Sequence, residues 1–336
     1  MKDRPCPRIA VIGAGRMALD FHLPSQAALA EQGRCTLAAI CDVDGEKGAR
    51  AAKAFGIPAV YRDMERMLNT IRPDGVIVIV PVQFTERVAG YVLRRGFPVM
   101  LEKPPGNSPR ECRTIADAAR SGRAANMVAF NRRFCPVIVQ GRAEILKRGA
   151  TKGASGLMYR HQRGEEDFFF STGMHSLDAL RFLAGDIDRV ETVCGPAKRG
   201  ERPVSQLLIE FVNGGAGTLA VRPQAGVNLE RYELFGNEAV ASIHAGVEWL
   251  LDAPGSCTLY EKNKRVKLSD PLREWKKIRN KKLKAAIAGG FYGENEAFVD
   301  ALTGKRPFAP GVLETIETVE IAEAVRAGKH WRRTRS

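Results

Sequence analysis

The chain has 336 residues, 44% of them hydrophobic and 27% charged, which supplies two domain cores and excludes a disordered or fibrous class. No stretch nears the ~20 apolar residues of a membrane helix, and neither Met1–Arg8 (with Pro5 and Pro7) nor the short run Ile9–Ile12 makes a secretory leader, so a cytoplasmic protein is expected. Seven scattered cysteines without a CxxC pair point to reduced packing residues and no metal site, and the net charge of +14 suits an anionic small molecule.

In chain order, the first 130 residues alternate short apolar runs with helix-like segments, the pattern of a parallel doubly wound α/β sheet. Strands are predicted at Arg8–Ile12, Thr36–Cys41, Ala59–Tyr61, Gly75–Val80, Pro98–Leu101 and Asn126–Phe130. Asp44 is set to cap a helix that Gly56 ends, and Ser108, Pro109 and Glu111 form a capping box. Pro24 should kink or restart the helix that follows the first strand. Beyond Asn131 the pattern changes to a helix at Pro136–Arg148 and strands at Ala154–Gln162, Gln206–Phe211, Gly217–Val221, Arg231–Phe235 and Ala239–Ile243. Asn213-Gly214-Gly215 and Gly236-Asn237 read as hairpin turns, so a mostly antiparallel sheet is expected. Helices at Glu294–Leu302 and Val312–Arg326 close the chain. The organisation is therefore a dinucleotide-binding domain over 1–131 and an α+β domain over 132–336. Basic residues crowd Lys262–Lys284 and the tail Arg332, Arg333, Arg335. With Trp275 the one interleaved aromatic, this reads as a solvated face and points away from nucleic acid.

Three places carry chemistry. Gly13-Ala14-Gly15-Arg16-Met17-Ala18 joins the first strand to a helix. Gly13 permits the turn, Gly15 lets the backbone approach a pyrophosphate, and Ala18 allows close packing on the sheet. The helix N-terminus offers N–H groups to phosphate. Asp42, ending the second strand, can bind both ribose hydroxyls and repel a 2′-phosphate, which favours NAD over NADP, although Arg16 leaves NADP open. Glu102-Lys103-Pro104-Pro105 lies at the carboxyl edge of the sheet, where such folds bind ligands. A lysine there can hydrogen-bond a substrate oxygen; taken alone it also reads as a turn lysine. Finally, His175 and Asp178 share one face of a helix begun near Ser171, with Leu177, Leu180 and Leu183 turned to the core. Imidazole is a fitting proton acceptor at neutral pH, and a core histidine is the alternative. His22, His161, His244 and His330 lack such a setting.

Together, Gly13–Ala18, Glu102-Lys103-Pro104, Asn131-Arg132-Arg133-Phe134 and Gly173-x-His175-x-x-Asp178 resemble the glucose–fructose oxidoreductase / inositol dehydrogenase (Gfo/Idh/MocA) family, over residues 8 to 328. The resemblance implies a Rossmann domain followed by a domain with a large open sheet, a carbohydrate-like substrate bound between them, and homodimers or homotetramers built through that sheet. It implies that Lys103 and His175 are catalytic, that Pro81 and Glu102 contact the nicotinamide half, and that Arg133, Ser171 and Asp178 lie toward substrate. Gly13, Gly15, Arg16, Met17 and Asp42 would hold the rest of the cofactor. Ser171 stands where many members have Asp, and Val82-Gln83 where many have Asn-His after the proline. The activity so implied is hydride transfer between NAD(P) and a secondary alcohol or ketone of a sugar or cyclitol; a non-catalytic dinucleotide-binding regulator is the alternative.

Overall fold

A computed structural model describes residues 6–194, 204–247 and 250–334; Pro5 and Arg335 lie outside them. Two compact units are formed, the first by Met1–Phe130, Arg279–Ile287 and Phe291–Ile316, the second by Asn131–Ile278, Ala288–Gly290 and Glu317–Ser336.

The first unit is a six-stranded parallel sheet: β1 (Arg8–Ile12), β2 (Thr36–Cys41), β3 (Val60–Tyr61), β4 (Gly75–Val78), β5 (Val99–Glu102) and β6 (Asn126–Ala129). Its order β3-β2-β1-β4-β5-β6 is that of the doubly wound dinucleotide fold. The strands are linked by α1 (Leu23–Glu31), α2 (Gly45–Phe55), α3 (Met64–Ile71), α4 (Val82–Arg94) and α5 (Pro109–Gly122). Val76, Ile77 and Val78 are wholly buried, as a central strand covered on both faces must be. Local signals act as expected. The Asp44 carboxylate accepts the amides of Glu46 and Lys47, and Gly56 ends α2 at φ 66°. Ser108 Oγ accepts the Glu111 amide, while the Glu111 carboxylate reaches back to the Asn107 amide rather than to that of Ser108. Before Pro24 the helix widens into a π-turn over Ala18–His22, and α1 restarts with the proline in its first turn. The missing N–H and the ring's clash with the preceding turn leave that widening as the accommodation.

The second unit holds α6 (Pro136–Leu146), β7 (Gly153–Tyr159), α7 (Met174–Ala184), β8 (Ile187–Cys194), β9 (Ser205–Phe211), β10 (Ala216–Arg222), β11 (Leu229–Phe235), β12 (Ala239–His244), β13 (Ser256–Glu261) and β14 (Lys264–Val266). Farther along the chain, α8 (Lys281–Ala288), α9 (Phe291–Leu302) and the start of α10 (Val312–Arg326) belong mainly to the first unit, and β15 (Trp331–Arg332) to the second. The nine-stranded sheet runs β14-β13-β12-β11-β7-β10-β9-β8-β15, antiparallel except between β7 and β10. Helices α6 and α7 cover one face: Gly141 sits against Ile243, and Gly156 leaves room for the Tyr232 ring beside Leu180. On the other face Val193 and Leu208 remain more than half exposed.

Four strands escaped the sequence reading. In β8, charged residues interrupt the apolar pattern, yet Arg189 pairs across the ladder with Glu210. The pair β13–β14 straddles the start of the basic run, where Lys262 and Asn263 are both left-handed (φ 48° and 60°) and form a two-residue hairpin turn. The two-residue β15 pairs with β8.

The single cut after 131 expected from the sequence differs from the observed division, because 279–287 and 291–316 pack with the first unit. Phe291 stacks on Phe21 with ring centroids 4.2 Å apart, and the Val312 amide donates to Asn126 Oδ1 at 2.7 Å. A Cβ at Gly75 would come within 3 Å of the Phe298 and Leu302 side chains, so that glycine makes space for α9.

Candidate functional site

In the first unit the turn after β1 is fixed by its glycines for two different reasons. Gly13 has φ +102°, and a Cβ there would fall 2.0 Å from the Ile79 carbonyl oxygen, so no other residue fits. At Gly15 a Cβ would meet nothing within 4 Å, and both Gly15 and Arg16 are exposed. Internal packing therefore does not call for a glycine at 15, and the open backbone there leaves room for a ligand at the amino end of the helix. Hence Gly13→Ala should cost more than ~1 kcal/mol of stability, whereas Gly15→Ala should leave the calorimetric melting temperature unchanged and weaken NAD(H) about tenfold or more in titration calorimetry. Equal effects of the two substitutions on melting would remove this distinction.

Asp42 is held at the same turn. Its Oδ2 accepts the Ala14 amide at 2.7 Å and its Oδ1 the Asp44 amide at 2.9 Å. Each oxygen keeps a further lone pair, the arrangement that binding a pair of vicinal hydroxyls requires. Arg62, which sequence reasoning passed over, donates from Nε to the Val43 carbonyl beside it. Met17 is partly buried against Phe21, Ala285, Ala286 and Phe291, which gives it a packing role. Pro81 is exposed and precedes α4, its carbonyl accepting the Phe84 amide. A dinucleotide fits this turn: Gly15, Arg16 and the helix amides suit its phosphates, and Asp42 its ribose.

At the end of β5, Glu102 is engaged on both oxygens. Oε1 lies 3.0 Å from His22 Nε2, and Oε2 accepts the Lys103 amide at 2.9 Å. Burial would raise the Glu102 carboxyl, but the His22 hydrogen bond and the positive charge of Lys103 outweigh it and hold it below the usual carboxylate range. Lys103 precedes Pro104 through a cis peptide bond. His22 was not legible as a site residue, since its partners lie 80 and 273 residues away.

In the second unit His175 sits in the first turn of α7, 7% exposed. A π-turn over Phe169–Gly173, including Ser171, leads into that helix. Leu177, Leu180 and Leu183 are buried, as their spacing predicts. The helix is pinned by polar contacts on both sides of the histidine. Arg133 donates twice to Asp178, at 2.8 and 2.9 Å, and Asp178 is 0% exposed. These two residues, expected toward substrate, pair with each other, and Thr318 Oγ1 lies 3.4 Å from the same carboxylate, contacts that help to orient α7. Arg181 reaches Thr318 and Asp186. Ser176 Oγ lies 3.0 Å from the Tyr232 hydroxyl, which donates to Glu230. Glu230 in turn takes a bidentate pair from Arg132 and a third contact from Arg160 at 2.5 Å. Burial would raise Glu230, but the two guanidiniums pull it down to about 2. None of this network was foreseen. Among the described residues no group of three or more His, Cys, Asp or Glu is placed to hold a metal ion. Cys6, Cys35, Cys41, Cys112, Cys135 and Cys257 are free thiols, of which Cys35, Cys41, Cys112 and Cys135 are buried.

Residues 7–130 match the Gfo/Idh/MocA family of oxidoreductases, NAD-binding Rossmann fold, and residues 158–330 match its C-terminal alpha/beta domain. Inositol 2-dehydrogenase 2 of Saccharopolyspora erythraea is 28% identical over 250 residues, 70% of this chain and 73% of that one. Rhizopine catabolism protein MocA of Rhizobium meliloti is 26% identical over 231 residues, 64% of this chain and 70% of that one. A dehydrogenase from Chromobacterium violaceum shares the fold with a TM-score of 0.81 at 19% identity, covering 97% of this chain and 96% of that one.

Proposed function

Because the chain belongs to the Gfo/Idh/MocA family of NAD-binding oxidoreductases, we propose that it oxidises or reduces a secondary alcohol or ketone of a sugar, cyclitol or related polyol. The observation that carries the cofactor half is the Asp42 carboxylate hydrogen-bonded to the glycine turn. It favours NAD over NADP, since a fixed negative charge there repels a 2′-phosphate. The nicotinamide, when bound, supplies or receives the hydride. The protein's part is to bind, orient and handle a proton. Gly13, Gly15, Arg16 and Asp42 hold the dinucleotide, with Pro81 and Glu102 toward its nicotinamide half. Lys103 hydrogen-bonds the reacting oxygen through Nζ, and the His175 imidazole takes its proton during oxidation and returns it during reduction.

The substrate class draws on relatives named for inositol and for a D-glucoside. With Ser171 and with Asp178 tied to Arg133, hydroxyl recognition falls to other groups than the carboxylates of many relatives. Assembly as a homodimer or homotetramer through the open face of the large sheet accords with the exposed Val193 and Leu208. A cytoplasmic setting suits a chain in which no described helix is long and apolar enough to cross a membrane.

Titration calorimetry should give NADH at least about tenfold tighter binding than NADPH, and a panel of polyols and keto-sugars should yield turnover followed by nicotinamide absorbance. Lack of affinity for either nucleotide defeats the proposal; binding without turnover on a broad panel would favour the non-catalytic regulator.

A further inference from the structure

The first unit buries a chain of polar side chains that ends at Lys103, and the reaction just described gives no role to its members Gln26, His22 and Asn295. Gln26, His22 and Asn295 are all 0% exposed. Gln26 Nε2 donates to Asn295 Oδ1 at 3.0 Å, and Asn295 Nδ2 donates to the Phe291 carbonyl at 2.8 Å. A carbonyl can only accept, so the amide nitrogen of Asn295 must be on that side. The same nitrogen lies 3.0 Å from His22 Nδ1, which therefore accepts. The imidazole proton is then on Nε2, facing Glu102 Oε1 at 3.0 Å. Glu102 Oε2 completes the chain by accepting the Lys103 amide. The other carboxyl near the ring is Glu294, 4.0 Å from Nε2, and Phe291 presents its ring to the imidazole with centroids 6.2 Å apart.

We propose that His22 is a positioning residue: directed by Asn295, its Nε2–H fixes the Glu102 carboxylate, which in turn fixes the main chain of Lys103. One carboxylate oxygen is thus held by the imidazole and the other by the main chain. Gln26 extends the control to Cys35, whose thiol donates to Gln26 Oε1 at 3.3 Å. The ring is locked from both sides, and a nitrogen exchanged for carbon would break the chain at its centre.

The test is amide hydrogen exchange at Lys103 in the full-length protein, followed by mass spectrometry of a peptide spanning 100–105. Pro104 and Pro105 carry no amide hydrogen, so Lys103 is isolated from the loop beyond it. His22→Leu should speed exchange at Lys103 about tenfold or more while leaving β1 and β4 protected. His22→Gln, whose terminal amide can donate in place of Nε2, should restore it to within about threefold of the wild type. In parallel, the imidazole nitrogen spectrum of the wild type should show the Nε2–H tautomer of His22. The proposal is overturned by unchanged exchange in His22→Leu, by failed restoration in His22→Gln, or by an Nδ1–H tautomer. If His22→Leu does not fold, the other two measurements still decide. The kinetic consequence, a lower kcat with NADH affinity unmoved, rests on Lys103 handling the reacting oxygen. Exchange and tautomer do not, so a silent enzyme and a broken relay are told apart.

Discussion

Lys103→Met should lower kcat by about 10² to 10⁴ while leaving the Kd for NADH within about threefold of the wild type. Methionine keeps the length and apolar stem of the lysine, and the Lys103 amide that Glu102 holds belongs to the main chain, so the substitution removes the ammonium alone. On the proposed reading the nucleotide is held elsewhere, at Gly13, Gly15 and Asp42, whose carboxylate is hydrogen-bonded to that turn. His175→Ala should cost a similar factor. If the two side chains handle one proton, the double variant should be about as slow as the slower single variant, because groups acting as a unit are not additive. Stopped-flow turnover with the substrate found in the panel, together with calorimetry of NADH, checks all three. Full rate in both single variants would remove the assigned roles, and loss of NADH affinity in Lys103→Met would mean that the lysine serves binding.

Much of the first unit was legible because its signals are local. A strand, a glycine turn and an acidic strand end follow one another within 35 residues of Arg8, and both Asp44 and Ser108 cap the helices that they precede. The large sheet was half legible. Hairpins at Asn213–Gly215 and Gly236–Asn237 announced themselves through turn residues, but β8 and β13 carry charges and polar residues that mask the alternation. What could not be read were contacts closed by distant segments. Glu230 meets Arg132 across 98 residues, and α9 brings Asn295 to His22. The same limit explains the domain cut: nothing local in Phe291–Leu302 says that Gly75 was left bare to receive it. Arg133 and Asp178 show the converse. The family resemblance implied that they lie toward substrate, and only the fold reveals that they also pair with each other.

The buried Arg132–Glu230–Arg160 cluster sets the second large expectation. Glu230→Gln should destabilise the protein by about 3–5 kcal/mol, because it strands two guanidiniums that are 3% and 1% exposed. That corresponds to a fall of roughly 6–20 °C in melting temperature for a unit of this size. The pH dependence has a definite sign. The Glu230 carboxyl is pulled from an ordinary 4.5 to about 2 in the folded chain, so it releases its proton more readily folded than unfolded. Its stabilisation is therefore complete above about pH 4.5 and is lost as the pH falls through about 2. Scanning calorimetry between pH 2 and 6 should show a steeper decline in the wild type than in Glu230→Gln, which lacks this titration. Parallel curves would show that the cluster contributes nothing through charge. The cluster also bears on chemistry, since Glu230 accepts the Tyr232 hydroxyl that contacts Ser176, next to His175. A Tyr232→Phe variant leaves the ion cluster whole and removes only that link. Turnover lost there at a temperature where the chain stays folded would trace the effect to the placement of α7 and not to stability.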